Sequence, residues 1–192
     1  MTSHRVVASA GTYHLPFDRF SDWLQRWFDG RPDVDLVVQH GPSKPVRGAT
    51  NVEILPYDEL LDLCRDADVV VLQGGAGAVM DMRAIGRVPL VIPRVPGAGE
   101  VVDDHQLVFT AEMEHLGIIR RAITFEEFAQ ELDAMLVQHS DDVVVEMDTP
   151  GVEAIRSLME QPIRKLPWFS VVGRGVRLSW ELVGARLTRR AR

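Results

Sequence analysis

DVVVLQGGAGAVMDMRAIGRVPLVIPRVPGAGEVVDDHQ runs from Asp68 to Gln106, and two short apolar runs within it set the architecture. Val69 to Leu72 is continuous and apolar, the composition of a strand buried on both faces of a parallel sheet. Gly74 and Gly75 end it, and Val79, Met82, Arg83 and Ile85 follow at helical spacing. A strand therefore feeds a helix through a turn of bare backbone, whose N–H groups and positive dipole end suit a phosphate. The turn reads as an anion cradle. Gly86 stops the helix, Pro89 to Pro93 reads as a second buried strand, and a loop rich in Gly and Pro leads to Asp103, Asp104, His105 and Gln106.

Outward from this stretch the chain alternates. Residues 5–10 predict a first strand, closed by Gly11 and Thr12, and Phe17, Phe20, Trp23, Leu24, Trp27 and Phe28 space a helix. Asp33 to Gln39 predicts a second strand, Asn51 to Leu55 a brief third, and Asp58 a helix with itself as N-cap. Beyond Gln106, a helix is expected over Asp104 to His115, a last strand over Ile118 to Ile123, and a helix from Phe125 to Gln138. Thr124 and Glu127 suggest a capping box at the start of that last helix. Gly151 to Gln161 looks like one more short helix. Strands alternating with helices of this length imply an α/β fold with a Rossmann-like, doubly wound parallel sheet, which binds ligands outside the carboxyl ends of its strands. The loops at Gly11, Gly41, Gly74 and Arg94 would share that edge.

Length and composition narrow the function. At 192 residues and 46% hydrophobic, the chain can bury one full core. The expected organisation is a ligand-binding domain over residues 1–161 and a basic tail over 162–192. That tail has eight Arg or Lys against the single acid Glu181, whereas residues 1–161 carry a net charge of −14. The acidic body argues against nucleic acid as the main ligand, and the basic tail suits an anionic surface. No run approaches a membrane span and no signal peptide is evident, so a cytoplasmic protein is expected. Cys64 has no second thiol and sits among apolar neighbours, which reads as packing.

The turn at Gly74 to Gly77 is not a dinucleotide fingerprint. Such a motif follows the first strand as G-x-G-x-x-G, whereas here the third glycine's place is taken by Met80. The G-K-[ST] of a nucleotide-hydrolysing P-loop is missing too. Asp81, one turn into the helix, is either surface charge or an acceptor for two ribose hydroxyls. His105 and Gln106 either face solvent or hydrogen-bond sugar hydroxyls. Asp103 and Asp104 read first as N-cap residues, and no metal site is expected, since adjacent residues seldom point at one ion.

Together these residues carry a resemblance. The apolar strand, the GG-x-G turn, the acid six residues beyond the second glycine, G-R-V-P and the loop ending D-D-H-Q resemble the C-terminal domain of glycosyltransferase family 28, half of a GT-B enzyme. Gly11, Thr12, Phe17 and Asp18, the Q-H-G of Gln39 to Gly41, and L-P-Y-D-E-L at Leu55 to Leu60 extend the resemblance over residues 5 to about 120. It is closer to the small donor-binding subunits of two-chain transferases, among them the dolichol-pathway UDP-N-acetylglucosamine transferase and bacterial exopolysaccharide relatives. The resemblance implies an inverting, metal-independent transfer from a UDP-sugar to a lipid-linked or polysaccharide acceptor, with no cofactor. It assigns diphosphate to Gly74, Gly75 and Gly77, with Gly11 and Thr12 closing the site, ribose to Asp81, and donor sugar to His105 and Gln106. The family usually has His, Ser or Thr, and Glu where this chain has Gln73, Ala78 and Asp81.

The general base of such enzymes comes from the acceptor-binding half, so a membrane-associated partner subunit is implied; His14 is the one speculative base in this chain. Arg174, Arg177, Arg186, Arg189, Arg190 and Arg192 beside Val176, Trp180, Val183 and Leu187 would bring the tail to that partner or to the inner face of the membrane. A non-catalytic nucleotide-sugar-binding or scaffold subunit is the second reading.

Overall fold

The computed structural model describes residues 4–138. Strands β1 (His4–Ser9), β2 (Val34–Gln39), β3 (Thr50–Val52), β4 (Val69–Gln73), β5 (Leu90–Ile92) and β6 (Arg120–Arg121) form one sheet in the order β3-β2-β1-β4-β5-β6, and every pairing is parallel. Between them run helices α1 (Asp18–Phe28), α2 (Tyr57–Asp66), α3 (Ala76–Ala84) and α4 (His105–His115), and α5 (Phe125–Gln138) follows β6. This is the doubly wound sheet that the alternation of elements implied.

The period-2 alternation of each strand sends side chains to both faces. Val6, Ala8, Leu36, Val38, Val69, Val71, Leu90 and Ile92 join Phe17, Phe20, Leu24 and Trp27 around α1, and Phe128, Leu132 and Met135 of α5, in one apolar cluster. Helices α1 and α5 touch each other over that face, with Trp27 Nε1 donating to Asp133 at 2.9 Å. The alternate residues Val7, Val70, Leu72 and Val91 are buried too, and α2 packs against α3 and β1. Helices on both faces are why β4 reads as an unbroken apolar run.

Helix α5 begins as its sequence suggested. Glu127 N donates to Thr124 Oγ1 at 3.2 Å, and Glu127 Oε2 accepts from Thr124 N at 3.1 Å and Ile123 N at 2.7 Å. These charged-acceptor bonds hold the Glu127 carboxyl below its usual range. Other ends differ from expectation. Pro56 precedes α2, which starts at Tyr57, so Asp58 lies in the first turn rather than capping it. There its charge complements the dipole instead. Helix α4 starts at His105, and Asp104 caps it with no side-chain bond; Asp103 Oδ1 accepts from His105 N at 3.2 Å. The third strand is Thr50–Val52, with Leu55 N beyond it bonded to the Gln39 side chain at 2.9 Å, and the last strand contracts to Arg120–Arg121 at the sheet edge. The helix expected at Gly151 to Gln161, the division at residue 161 and the tail lie outside the described residues.

Candidate functional site

Connections from β1 and β4, adjacent in the sheet, leave toward opposite faces, to α1 and to α3. Such a switch point opens a crevice at the carboxyl ends of the two strands. Gly11 stands at the end of β1 and Gly74 to Gly77 at the end of β4, so the crevice lies between the two glycine turns that the sequence singled out. The loops after β2 and β5 end on the same edge.

Each glycine there is bare for a different reason. Gly11 has φ +77, and a Cβ on it would overlap the Gln73 amide. A Cβ on Gly74 would stand 2.9 Å from Thr110 Cγ2 and 3.0 Å from Gln106 Oε1, so this position lets α4 approach the turn. On Gly75 it would stand 2.9 Å from Gln73 Nε2. At Gly77 nothing lies within 4 Å; its Cα faces open space. Gly75 caps α3 without a side-chain bond, and the first turn of that helix holds no acid. Gly75 N already donates to Gln73 O at 2.9 Å, so the backbone N–H groups that follow it in the first turn of α3 are the ones that can meet an anion in the crevice.

Arg94 is the largest fully buried side chain of the described residues. It leaves the chain just after β5 and crosses the crevice floor. Nε donates to Gln73 Oε1 at 2.9 Å, Nη2 to Ala10 O at 3.1 Å, and Nη1 to Leu15 O at 2.9 Å, Pro16 O at 3.3 Å and Glu100 O at 2.9 Å. Its guanidinium carbon lies 4.7 Å from the Phe17 ring centre and 5.4 Å from that of Tyr13. Burial lowers its pKa, and the Glu100 and Tyr13 charges oppose the shift. Glu100, buried in turn, accepts both Arg19 Nε and Nη2 at 2.9 Å and Val95 N at 2.9 Å.

The other sequence candidates fall around this floor. Asp81, partly buried on α3, accepts a 2.9 Å hydrogen bond from Tyr57 Oη, and this bond chiefly raises the Tyr57 pKa. Gln106 is buried: Oε1 accepts from Arg94 N at 3.0 Å and Nε2 lies 3.4 Å from Gln73 Oε1. His105 is exposed and its ring bonds Asp103 Oδ1, which pulls the Asp103 carboxyl below its usual value. Thr12 and His14 are exposed, and the His14 ring lies 4.5 Å from that of Tyr13. Gly11, Gly74, Gly75 and Gln106 thus meet around Gln73, Asp81 is bonded to Tyr57 of α2, and His105 is exposed at the start of α4 beside Asp103.

The sequence profile described as glycosyltransferase family 28 C-terminal domain matches residues 26–161. The chain belongs to this family. No curated protein is similar to it in sequence. MurG of Acinetobacter baumannii superposes with a TM-score of 0.55 at 15% identity, over 81% of this chain and 49% of MurG. The glycotransferase of kitacinnamycin gives 0.51 at 18%, over 81% of this chain and 43% of its own. CalG4, the calicheamicin glycosyltransferase, gives 0.51 at 12%, over 86% and 44%. At these identities the likeness is one of fold: the parallel sheet matches the C-terminal half of GT-B glycosyltransferases. The chain spans less than half the length of each of these enzymes.

Sequence reasoning misses the residues that tie this crevice together. In sequence Gln73 stands out only as a departure from the family's usual His, and Arg94 only as a loop position. Gln39 is buried and joins the end of β1 to the loop after β3: Nε2 donates to Ser9 Oγ at 2.9 Å and Oε1 accepts from Leu55 N at 2.9 Å. They share a signal: a long polar residue at the end of a buried apolar strand, as for Gln39 and Gln73, or two residues beyond it, as for Arg94. Among the described residues, no group of three or more His, Cys, Asp or Glu is arranged to hold a metal ion. No helix among them is long and apolar enough to cross a membrane.

Proposed function

We propose that this domain binds a UDP-sugar across the β1–β4 crevice and supplies the donor half of an inverting glycosyl transfer. The observation that carries the reading is the uncapped start of α3 at the switch point, with Gly77 facing open space, in a family 28 domain. The diphosphate lies against Gly75 and Gly77, with Gly74 shaping the turn and Gly11 and Thr12 on the opposite wall. The ribose hydroxyls bond Asp81, and the sugar reaches the start of α4 at His105 and Gln106. As the bond to the sugar breaks, negative charge accumulates on the leaving diphosphate. Preorganised N–H groups at the helix start stabilise it without reorganising, and no metal is needed for that task.

The acceptor, lipid-linked or polysaccharide, is held by a membrane-associated partner subunit, which also supplies the base that takes the acceptor's proton. His14 is exposed at the crevice rim and is the one candidate base in this chain. The basic tail brings the chain to the partner or to the membrane from the cytoplasmic side.

A second reading, a nucleotide-sugar-binding subunit without catalysis, is favoured by the engagement of Asp81 with Tyr57 and by Ala78, which offers phosphate no hydroxyl. Calorimetric titration of the full chain with UDP-sugars, followed by transfer assays with and without a candidate partner, decides between them. Binding plus partner-dependent transfer supports the first reading, binding without transfer in any pairing the second. No binding of UDP or any UDP-sugar overturns both.

A further inference from the structure

We propose that Arg94 is a positioning residue for the anion-binding turn and that it acts through Gln73. This rests on the donor-binding reading above. Burying a guanidinium is expensive, and an apolar side chain of similar volume would usually fill such a space at lower cost. Arg94 is nevertheless fully buried, and its acceptors come from the end of β1, the loop that follows it, the end of β4 and the loop after β5. Only one arrangement of those segments satisfies the planar fork, so the guanidinium fixes their spacing.

The link to the turn is Gln73. Its Oε1 accepts from Arg94 Nε, which dictates that the other end of the amide, Nε2, faces Gly11 and Gly75. That amide fills the volume a side chain at either glycine would need: a Cβ on Gly11 would be 2.8 Å from Gln73 Cδ, and one on Gly75 2.9 Å from Nε2. Gln73 is thus a spacer across the crevice, and Arg94 sets its rotamer. A lysine at 94 keeps the charge, but its three N–H donors radiate from one nitrogen instead of spreading over a planar fork, so it cannot span Gln73 Oε1 and the carbonyls of Ala10, Leu15 and Glu100 in their present places.

The test is a double-mutant cycle on the full chain with Arg94→Lys, Gln73→Met and the combination. UDP affinity comes from calorimetry well below each variant's melting temperature, and the Gly11 and Gly75 amide signals from 15N-correlated spectra of the ligand-free proteins. We expect each single variant to bind UDP roughly tenfold more weakly, as for one lost charge-assisted hydrogen bond. The double variant should bind no more weakly than the poorer single, and both amide signals should shift in Arg94→Lys. Additive losses, unchanged affinity, or unshifted amides in a folded Arg94→Lys protein overturn the proposal. Should Arg94→Lys not fold, Gln73→Met alone decides, by its affinity and by its Gly11 and Gly75 signals. If the unmodified chain binds no UDP, the donor reading falls, and the amide signals still judge whether Arg94 positions the turn.

Discussion

Tyr57 Oη donates a 2.9 Å hydrogen bond to Asp81 Oδ1, joining the start of α2 to the middle of α3 at the acid assigned to ribose. A nucleoside that uses Asp81 must share or displace this phenol. Asp81→Ala is therefore expected to weaken UDP far more than pyrophosphate, while Tyr57→Phe changes UDP affinity only severalfold and leaves pyrophosphate unaffected. Equal losses for both ligands in Asp81→Ala would make the acid structural. The pH dependence has a definite sign. The Tyr57 pKa is raised above 10.0, chiefly by the bond to Asp81. The bond's contribution is therefore complete below the ordinary phenol value and disappears as pH rises through the raised one. UDP affinity should show no step from Tyr57 between about pH 6 and 9.

The turn glycines should separate fold from binding. Gly74→Ala places a methyl 2.9 Å from Thr110 Cγ2. It should destabilise the protein by about 1–3 kcal/mol through overpacking. A Cβ at Gly77 would meet no atom within 4 Å, and the residue lies in the first turn of α3, where alanine is at least as favourable as glycine. The melting temperature of Gly77→Ala should hold or rise while UDP affinity falls, because the methyl enters the space assigned to diphosphate. Undiminished affinity in Gly77→Ala and Gly77→Val would move the diphosphate elsewhere.

The reciprocal bonds of Thr124 and Glu127 should be measurable at the start of α5. Thr124→Ala is expected to cost about 1 kcal/mol in denaturant unfolding. Because the folded Glu127 pKa is lowered from 4.5, its share of stability is present above that value and is lost as pH falls through the lower folded one. Glu127→Gln should flatten this part of the acid profile; an unchanged profile would assign the acid loss to other carboxylates.

Cys64 should be chemically silent in the native protein. It is fully buried on α2, and burial pushes its thiol up to about 11. At pH 8 the thiolate population is minute, and a water-soluble disulfide reagent should react only as fast as the domain opens. Rapid stoichiometric labelling without denaturant would contradict the buried placement.

Deletion of residues 166–192 tests the tail. UDP-sugar binding should survive, while sedimentation with anionic vesicles or with the partner should be lost. With about 1 kcal/mol per basic residue at an anionic surface, vesicle binding by the full chain should also weaken as salt is raised. A truncated protein that sediments like the full chain would free the tail of this role.

The apolar run Val69 to Leu72 and its alternation with helical segments were enough to predict a doubly wound parallel sheet, because hydrophobic periodicity is a local property that burial on one or two faces imposes directly. Thr124 and Glu127 were legible for the same reason: a capping box is completed within four residues. Gly74 to Gly77 announced a turn that could face an anion, and the motif set around it announced the family. What the glycines are bare for was not legible. Gly74 answers to α4 and Gly75 to the side chain of Gln73, and only Gly77 faces open space. These are contacts between segments that meet in space, and a glycine looks the same in sequence whatever it makes room for. Arg94 shows the limit most clearly. In sequence it is a charged residue in a Gly- and Pro-rich loop, where exposure is the default. Only the convergence of the ends of β1, β4 and β5 at one edge brings five neutral acceptors within reach of one guanidinium, and that convergence made a buried cation the tie across the crevice.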